Sequence, residues 1–252
     1  MIVIKFGGHA MGASAYPWME EISTSFKKGQ KFVIVHGGGP QINKELERQN
    51  IVSQFHNGLR ITTPEVMTVV ESVLAGSVLR EVVRNLSAHG LPAIGITGGD
   101  AGLLKAEVID NGELGAVGEV VKVEPKILHL LLENGYLPVV SPLSQGPQGQ
   151  VLNVNADLAA GSIAGSLAAT EIIFLTDVPG IYRNWPDEGS LIAQISREEL
   201  RGLNFADGMI PKVQAALQAL QLGARSVRII DGKNFTAFQQ ALLGRGGTWV
   251  HP

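Results

Sequence analysis

Cysteine is absent from the 252-residue chain, which excludes disulfide staples, thiolate catalysis and cysteine-ligated metals. A chain of this length buries enough apolar surface to fold without staples, as one large domain or two lobes. Histidine is scarce and scattered: the six, His9, His36, His56, His89, His129 and His251, include no two at helical metal-ligand spacing, which argues against a structural zinc site. The formal charge of -3 provides no general basic surface for nucleic acid, and no run of five like charges marks a tail. Small molecules are therefore the expected partners. No uncharged apolar run reaches 18 residues, and the apolar start Ile2–Phe6 lacks the long apolar core of a signal peptide. A cytoplasmic protein is expected, with no membrane partner.

What the chain does contain is alternation. Short apolar runs ending in glycine clusters are separated by longer segments of helical period, the pattern of an α/β fold with helices on both faces of a sheet. Strands are predicted at Ile2–Phe6, Phe32–His36, Ala93–Thr97, Leu137–Ser141, Ile172–Thr176 and Val227–Ile230, mostly apolar throughout, as in parallel strands covered on both sides. Leu103–Val108 and Glu119–Val123 predict an inserted β-hairpin. Helices are predicted at Tyr16–Lys28, Gln41–Gln49, Pro64–Ala88, Pro125–Asn134, Asn155–Ala168, Met209–Leu222 and Asn234–Leu243. The third is long, and its apolar positions exceed one stripe, so it is either a central helix buried within one subunit or a subunit interface. A boundary near Ala168–Thr170 divides the chain into two lobes, 1–169 and 170–252, that share one continuous sheet.

Two glycine clusters follow predicted strands: Lys5-Phe6-Gly7-Gly8 and His36-Gly37-Gly38-Gly39-Pro40. Glycines at the carboxyl end of a parallel strand let backbone N–H groups approach an anion, and a following helix adds its dipole. Neither cluster has the P-loop or dinucleotide fingerprint. Each alone is as readily a tight turn, but together they favour two anionic groups. Lys5 lies inside an apolar strand, where a desolvated ammonium needs a partner. Lys212 follows Pro211, which is tolerable only in the first turn of a helix, so its charge opposes the helix dipole unless an anion sits between them. Asn57-Gly58-Leu59-Arg60 offers a guanidinium suited to clamping a carboxylate. Asn153-Val154-Asn155-Ala156-Asp157 places two amides and a carboxylate at a helix start, where capping accounts for one of them.

In order along the chain, K-F-G-G, H-G-G-G-P, N-G-L-R-I-T, E-N-G-Y-L-P-V-V-S-P, N-V-N-A-D, L-T-D-V-P-G-I-Y and D-G-M-I-P-K resemble the amino acid kinase family over essentially the whole length. The resemblance implies a three-layer αβα sandwich with an open, mainly parallel sheet. It implies an amino-terminal lobe for an acyl-amino acid and a carboxyl-terminal lobe for ATP. Within the family it points to phosphorylation of the γ-carboxylate of N-acetyl-L-glutamate in arginine biosynthesis. By the same resemblance Lys5 and Lys212 would stabilise the transferring phosphoryl and Asp157 would hold both lysines. Gly7, Gly8 and Gly37 would bind phosphate, and Gly38, Gly39, Arg60 and Asn153 the amino acid substrate. The nucleotide would lie against Asp177, Val178, Pro179, Gly180, Ile181, Tyr182, Asn204, Phe205 and Ala206. Mg²⁺ would ride on the ATP phosphates, with no protein metal site.

Family members inhibited by arginine resemble one another in an extra helix ahead of the first strand, and this chain starts at the strand. A homodimer insensitive to arginine is the resulting expectation, with Pro64–Ala88 at its interface. Two alternatives stay open at this point. One is a kinase for carrier-linked aminoadipate, which would differ in the third glycine of H-G-G-G and in N-V-N-A-D and would want a basic docking face; no basic cluster surrounds Arg60. The other is a nucleotide or amino acid sensor on the same fold, which would have no need of a cation on each side of a phosphate.

Overall fold

A computed structural model describes residues 1–7, 17–205 and 209–252. The strands are β1 (Ile2–Phe6), β2 (Phe32–His36), β3 (Phe55–His56), β4 (Leu59–Arg60), β5 (Ala93–Thr97), β6 (Leu104–Val108), β7 (Val117–Val123), β8 (Leu137–Ser141), β9 (Leu143–Gln145), β10 (Val151–Val154), β11 (Glu171–Thr176), β12 (Gln194–Ser196), β13 (Val227–Asp231) and β14 (Thr248–His251). The helices are α1 (Pro17–Lys27), α2 (Gly39–Arg48), α3 (Pro64–Glu71), α4 (Leu79–Ala88), α5 (Lys126–Glu133), α6 (Ala156–Ser166), α7 (Arg197–Arg201), α8 (Ile210–Gln221) and α9 (Phe235–Leu242). Among the described residues no helix is long and apolar enough to cross a membrane.

The central sheet has eight strands in the order β12-β14-β13-β11-β1-β2-β8-β5. Pairing is parallel except between β13 and β14. Because side chains alternate across a strand, β1 and β2 feed two cores. Val3, Val33 and Val35 pack with α5, α6, α7 and α8 on one face. Ile4, Phe6, Ile34 and the aromatic stack of Phe6 on Trp18 pack with α1 to α4 and α9 on the other. This is the predicted αβα sandwich.

Two expectations change. The inserted hairpin, β6 against β7, is half of a closed four-stranded barrel completed by β9 and β10. The segment 64–88 is not one regular helix, because a π-helical stretch, Ser72–Val78, joins α3 to α4. Its apolar surplus is spent inside the chain: Val66, Met67, Val69, Val70, Val73, Leu74, Val78, Leu79, Val82 and Leu86 are all buried. Most of the wide stripe is used inside the chain, while Val83 stays half-buried, so burial within one chain neither places nor removes a subunit interface at 64–88.

Helix α6 is built of small residues, and this sets the site. A Cβ on Gly161 would lie 2.6 Å from the Ala215 carbonyl of α8, so glycine permits backbone-to-backbone approach of α6 and α8. The two helices thereby bring their amino termini together.

Candidate active site

A cavity of about 420 Å³ opens where the carboxyl ends of β1, β2, β8 and β11 meet the amino ends of α2, α6 and α8. This is where an open α/β sheet binds ligands, and the size suits a small-molecule site. Lys5 and Gly7 come from β1 and its loop; Gly37, Gly38 and Gly39 from the loop after β2; Arg60 from the β3–β4 hairpin; Asn153 from β10; Asp157 from α6; Asp177 from the end of β11; and Lys212 from α8. Residues more than 200 positions apart in the chain face one space.

Asp157 joins the two lysines. Its Oδ1 lies 2.7 Å from Lys5 Nζ and its Oδ2 3.6 Å from Lys212 Nζ. The Asn155 side chain caps α6, accepting from the N–H groups of Asp157 and Leu158 at 2.8 and 3.3 Å, which holds the carboxylate in the first helical turn, where the dipole favours it. Burial alone would push the Asp157 carboxyl up, but the charges of Lys5 and Lys212 outweigh it and hold the group below the usual carboxylate range. Lys5 and Asp157 are buried, while Lys212 keeps a side-chain exposure of 19%. One carboxylate between two lysines leaves a unit of positive charge directed at the glycine loops.

Arg60 is buried on the opposite wall. Its guanidinium donates to Ser53 Oγ, to Asn43 Oδ1 at 2.7 Å and to the Gly39 carbonyl at 3.5 Å, and it sits 4.6 Å over the Phe55 ring. Among the described residues none of its partners is a carboxylate, and burial pushes its pKa down. A fixed, half-desolvated cation of this kind is complementary to a ligand carboxylate. Asn153 Nδ2 donates to Thr62 Oγ1 at 3.1 Å, and Thr62 Oγ1 donates to the Arg60 carbonyl at 2.8 Å, so hairpin and barrel are tied together at the cavity wall.

Of the predicted nucleotide segment, Asp177 lines the cavity. Pro179 and Asn204 are exposed, and Val178, Tyr182 and Phe205 are half-buried nearby in sequence. Ile181 is fully buried with its N–H donating to Thr248 Oγ1 at 2.8 Å, and Gly180 is packed against the same threonine; both belong to the core under the loop. Gly8 and Ala206 lie outside the described residues, as do Asp207 and Gly208. Sequence reasoning missed Asn43, Ser53 and Phe55, which fix Arg60, and gave no role to Thr62 of N-G-L-R-I-T, which ties Asn153 to it; no sequence pattern marks the first three as neighbours of Arg60.

Fold and site together set two lysines and a buried carboxylate beside glycine loops at the carboxyl edge of an α/β sheet, and the chain belongs to the amino acid kinase family, whose model matches residues 1–231. It is 44% identical to the acetylglutamate kinase of Geobacillus kaustophilus (strain HTA426), over 98% of this chain and 93% of the relative. It is 45% identical to the acetylglutamate kinase of Paenarthrobacter aurescens (strain TC1), over 92% of this chain and 80% of the relative. Among solved structures, smu.665 from Streptococcus mutans UA159 superposes with a TM-score of 0.82 at 28% identity, covering 99% of this chain and 98% of the other.

Proposed function

We propose that this protein transfers the γ-phosphoryl group of ATP to the γ-carboxylate of N-acetyl-L-glutamate, forming N-acetyl-L-glutamyl 5-phosphate, the second step of arginine biosynthesis. The observation that carries this reading is the Lys5–Asp157–Lys212 constellation beneath two glycine loops and across one cavity from Arg60. The acetylglutamate kinases cited above support the choice of acceptor.

The chemistry asks little of the protein beyond placement. An acceptor carboxylate is ionised at neutral pH and needs no general base. A loose phosphoryl-transfer transition state carries its charge on the phosphate oxygens, so positioned cations and backbone N–H groups supply the catalysis. Lys5 and Lys212 meet the transferring phosphoryl from two sides, and Asp157 keeps both lysines extended towards it. Gly7 and Gly8 hold phosphate oxygens, and Gly38 and Gly39 hold the acceptor carboxylate; the expected phosphate contact of Gly37 is corrected, because its N–H already donates to the Phe6 carbonyl at 2.9 Å. Arg60 and Asn153 bind the α-carboxylate end. The lobe 1–169 takes the acyl-amino acid, and the lobe 170–252 takes the nucleotide along Asp177, Val178, Pro179 and Tyr182 and along Asn204–Ala206, with Gly180 and Ile181 packed beneath it. Among the described residues the carboxylates lining the cavity are Asp157, already engaged by two lysines, and Asp177. That donor set fits Mg²⁺ held mainly by the nucleotide's own phosphates.

An ADP-release assay offering N-acetyl-L-glutamate, glutamate and aminoadipate tests the reading. Turnover is expected with N-acetyl-L-glutamate; ATP binding without ADP release on any acceptor overturns it. In the same assay Arg60→Ala is expected to raise KM for the amino acid at least tenfold while leaving kcat within a few-fold, as for a contact made equally in ground and transition states. An unchanged KM would remove Arg60 from the acceptor site.

The assembly belongs to this reading as a homodimer. Its support is the edge of the sheet: β5 is terminal in the strand order, and all five of its residues are half-buried rather than buried. A terminal strand is a template for a second chain, and of its carbonyls that of Gly95 accepts from Arg80 Nη2 at 3.1 Å. Sedimentation is expected to give twice the chain mass, and a monomer at micromolar concentration would overturn it.

A further inference from the structure

His36 ends β2, immediately before the three glycines, and its side chain is wholly buried. It lies on the face of Phe32 and Ile34, opposite Lys5, because Phe6 and His36 are register partners and alternate with Lys5 and Val35. Nothing in the proposed chemistry uses this ring. Its Nδ1 lies 3.0 Å from the carbonyl oxygen of Gly37. A carbonyl can only accept, so Nδ1 must carry the proton and Nε2 must be bare. Nε2 is buried and has no hydrogen-bond partner among the described residues. Burial pushes the imidazole pKa down to about 4, partly offset by the Gly37 bond, so the ring is uncharged at neutral pH.

The consequence lies in the next peptide group. The Gly37 carbonyl and the Gly38 N–H belong to one peptide unit, which is trans, and in a trans unit the two dipoles point in opposite directions. With the carbonyl turned towards the His36 ring, the Gly38 N–H points away from that ring, and Gly38 borders the cavity that Lys5, Asp157 and Lys212 also line. The unit is fixed on both sides. Gly37 N–H donates to the Phe6 carbonyl at 2.9 Å, and the Gly38 carbonyl accepts from Ile42 N–H at 2.9 Å. Gly38 is also pressed from above, since a Cβ there would lie 2.7 Å from Leu74 Cδ2 in the π-helical segment. A glycine-rich loop left to itself could rotate this peptide, and a rotated peptide would aim a carbonyl oxygen at the incoming phosphoryl group.

We propose that His36 is a positioning residue for phosphoryl transfer: through Nδ1–H it holds the Gly37 carbonyl away from the cavity and so aims the Gly38 N–H at the reacting oxygens. The inference rests on the cavity being a phosphoryl-transfer site. Three variants separate this role from packing. The amide nitrogen of asparagine occupies the place of Nδ1 on Cγ, whereas the glutamine amide reaches the place of Nε2, and leucine offers no donor. His36→Asn is expected to keep kcat within about threefold. His36→Leu and His36→Gln are expected to lose about 10- to 100-fold in kcat, the cost of a misaligned donor or supporting contact, with the KM for ATP little changed. Packing alone predicts the opposite order, because leucine suits a buried apolar site better than asparagine does.

Should the variants not fold, the wild-type protein still decides. Imidazole ¹⁵N resonances across pH 5–8 are expected to show a protonated Nδ1 and a bare Nε2 throughout, and a proton on Nε2 overturns the inference. Wild-type turnover with equal kcat in His36→Asn and His36→Leu overturns it as well. A wild-type protein without ADP release would instead overturn the functional reading beneath it.

Discussion

Replacing Lys212 by alanine is expected to lower kcat by about 10²- to 10³-fold, the usual cost of removing one preorganised charge-stabilising group, with KM for N-acetyl-L-glutamate changed by less than about threefold. The expectation follows from where the charge sits. In the resting site Lys212 Nζ is 3.6 Å from Asp157, a looser contact than the 2.7 Å of Lys5, and its position in the first turn of α8 sets it against the helix dipole. A cation in that position is stabilised most when an anion lies between it and the helix end, as the transferring phosphoryl would. Its interaction then strengthens as charge moves onto the phosphate oxygens, which is the condition for an effect on kcat and not on KM. Steady-state kinetics on Lys212→Ala and Lys212→Arg checks this. A variant that loses affinity for both substrates and keeps its turnover would show that the lysine binds the ground state alone.

The fold was legible where structure is local. Apart from Pro64–Ala88, which a π-helical stretch divides, each predicted strand and helix lies within a residue or two of an observed one, because a buried parallel strand is an apolar run and glycine or proline marks its end. What could not be read was pairing between short, distant segments. Leu143–Gln145 and Val151–Val154 are too brief to stand out by period, and they become strands only because β6 and β7 are there to close a barrel with them. Likewise Phe55–His56 and Leu59–Arg60 are two-residue strands, the first exposed, and the hairpin's value lies in what it does for Arg60. Its support comes from Asn43 on α2, 17 residues earlier, and no sequence pattern joins the two. The candidate site was legible for the opposite reason. A lysine inside an apolar strand and a lysine at the wrong end of a helix are each locally unfavourable, and local conflict of that kind concentrates at functional positions. His36 escaped notice because a buried, neutral histidine breaks no rule of pattern, and its hydrogen bond to the next residue is visible only in three dimensions.

The Asp157 carboxylate offsets that conflict for both lysines, and its removal tests the whole constellation. Asp157→Asn keeps the shape and removes the charge, leaving Lys5 and Lys212 facing one another in a largely buried space. Breaking a buried pair by deleting one partner costs about 3–5 kcal/mol, so a clear fall in Tm at pH 7 is expected, together with a loss of kcat as the lysines lose their anchor. The pH dependence has a definite sign. The folded-state pKa lies below the ordinary value of about 3.9, so in the window between them the unfolded chain binds more protons than the folded one. The stabilisation is therefore complete above the unfolded-state value and is lost as pH falls through the folded-state value. Unfolding curves of wild type and Asp157→Asn should run apart above about pH 4 and converge below it. Nucleotide adds an independent check. A bound phosphate supplies the missing negative charge, so Mg-ATP should raise the Tm of the variant by more than that of the wild type. Equal shifts in the two proteins, or curves that stay apart at low pH, would mean that the two lysines do not depend on Asp157 and that phosphate does not enter between them.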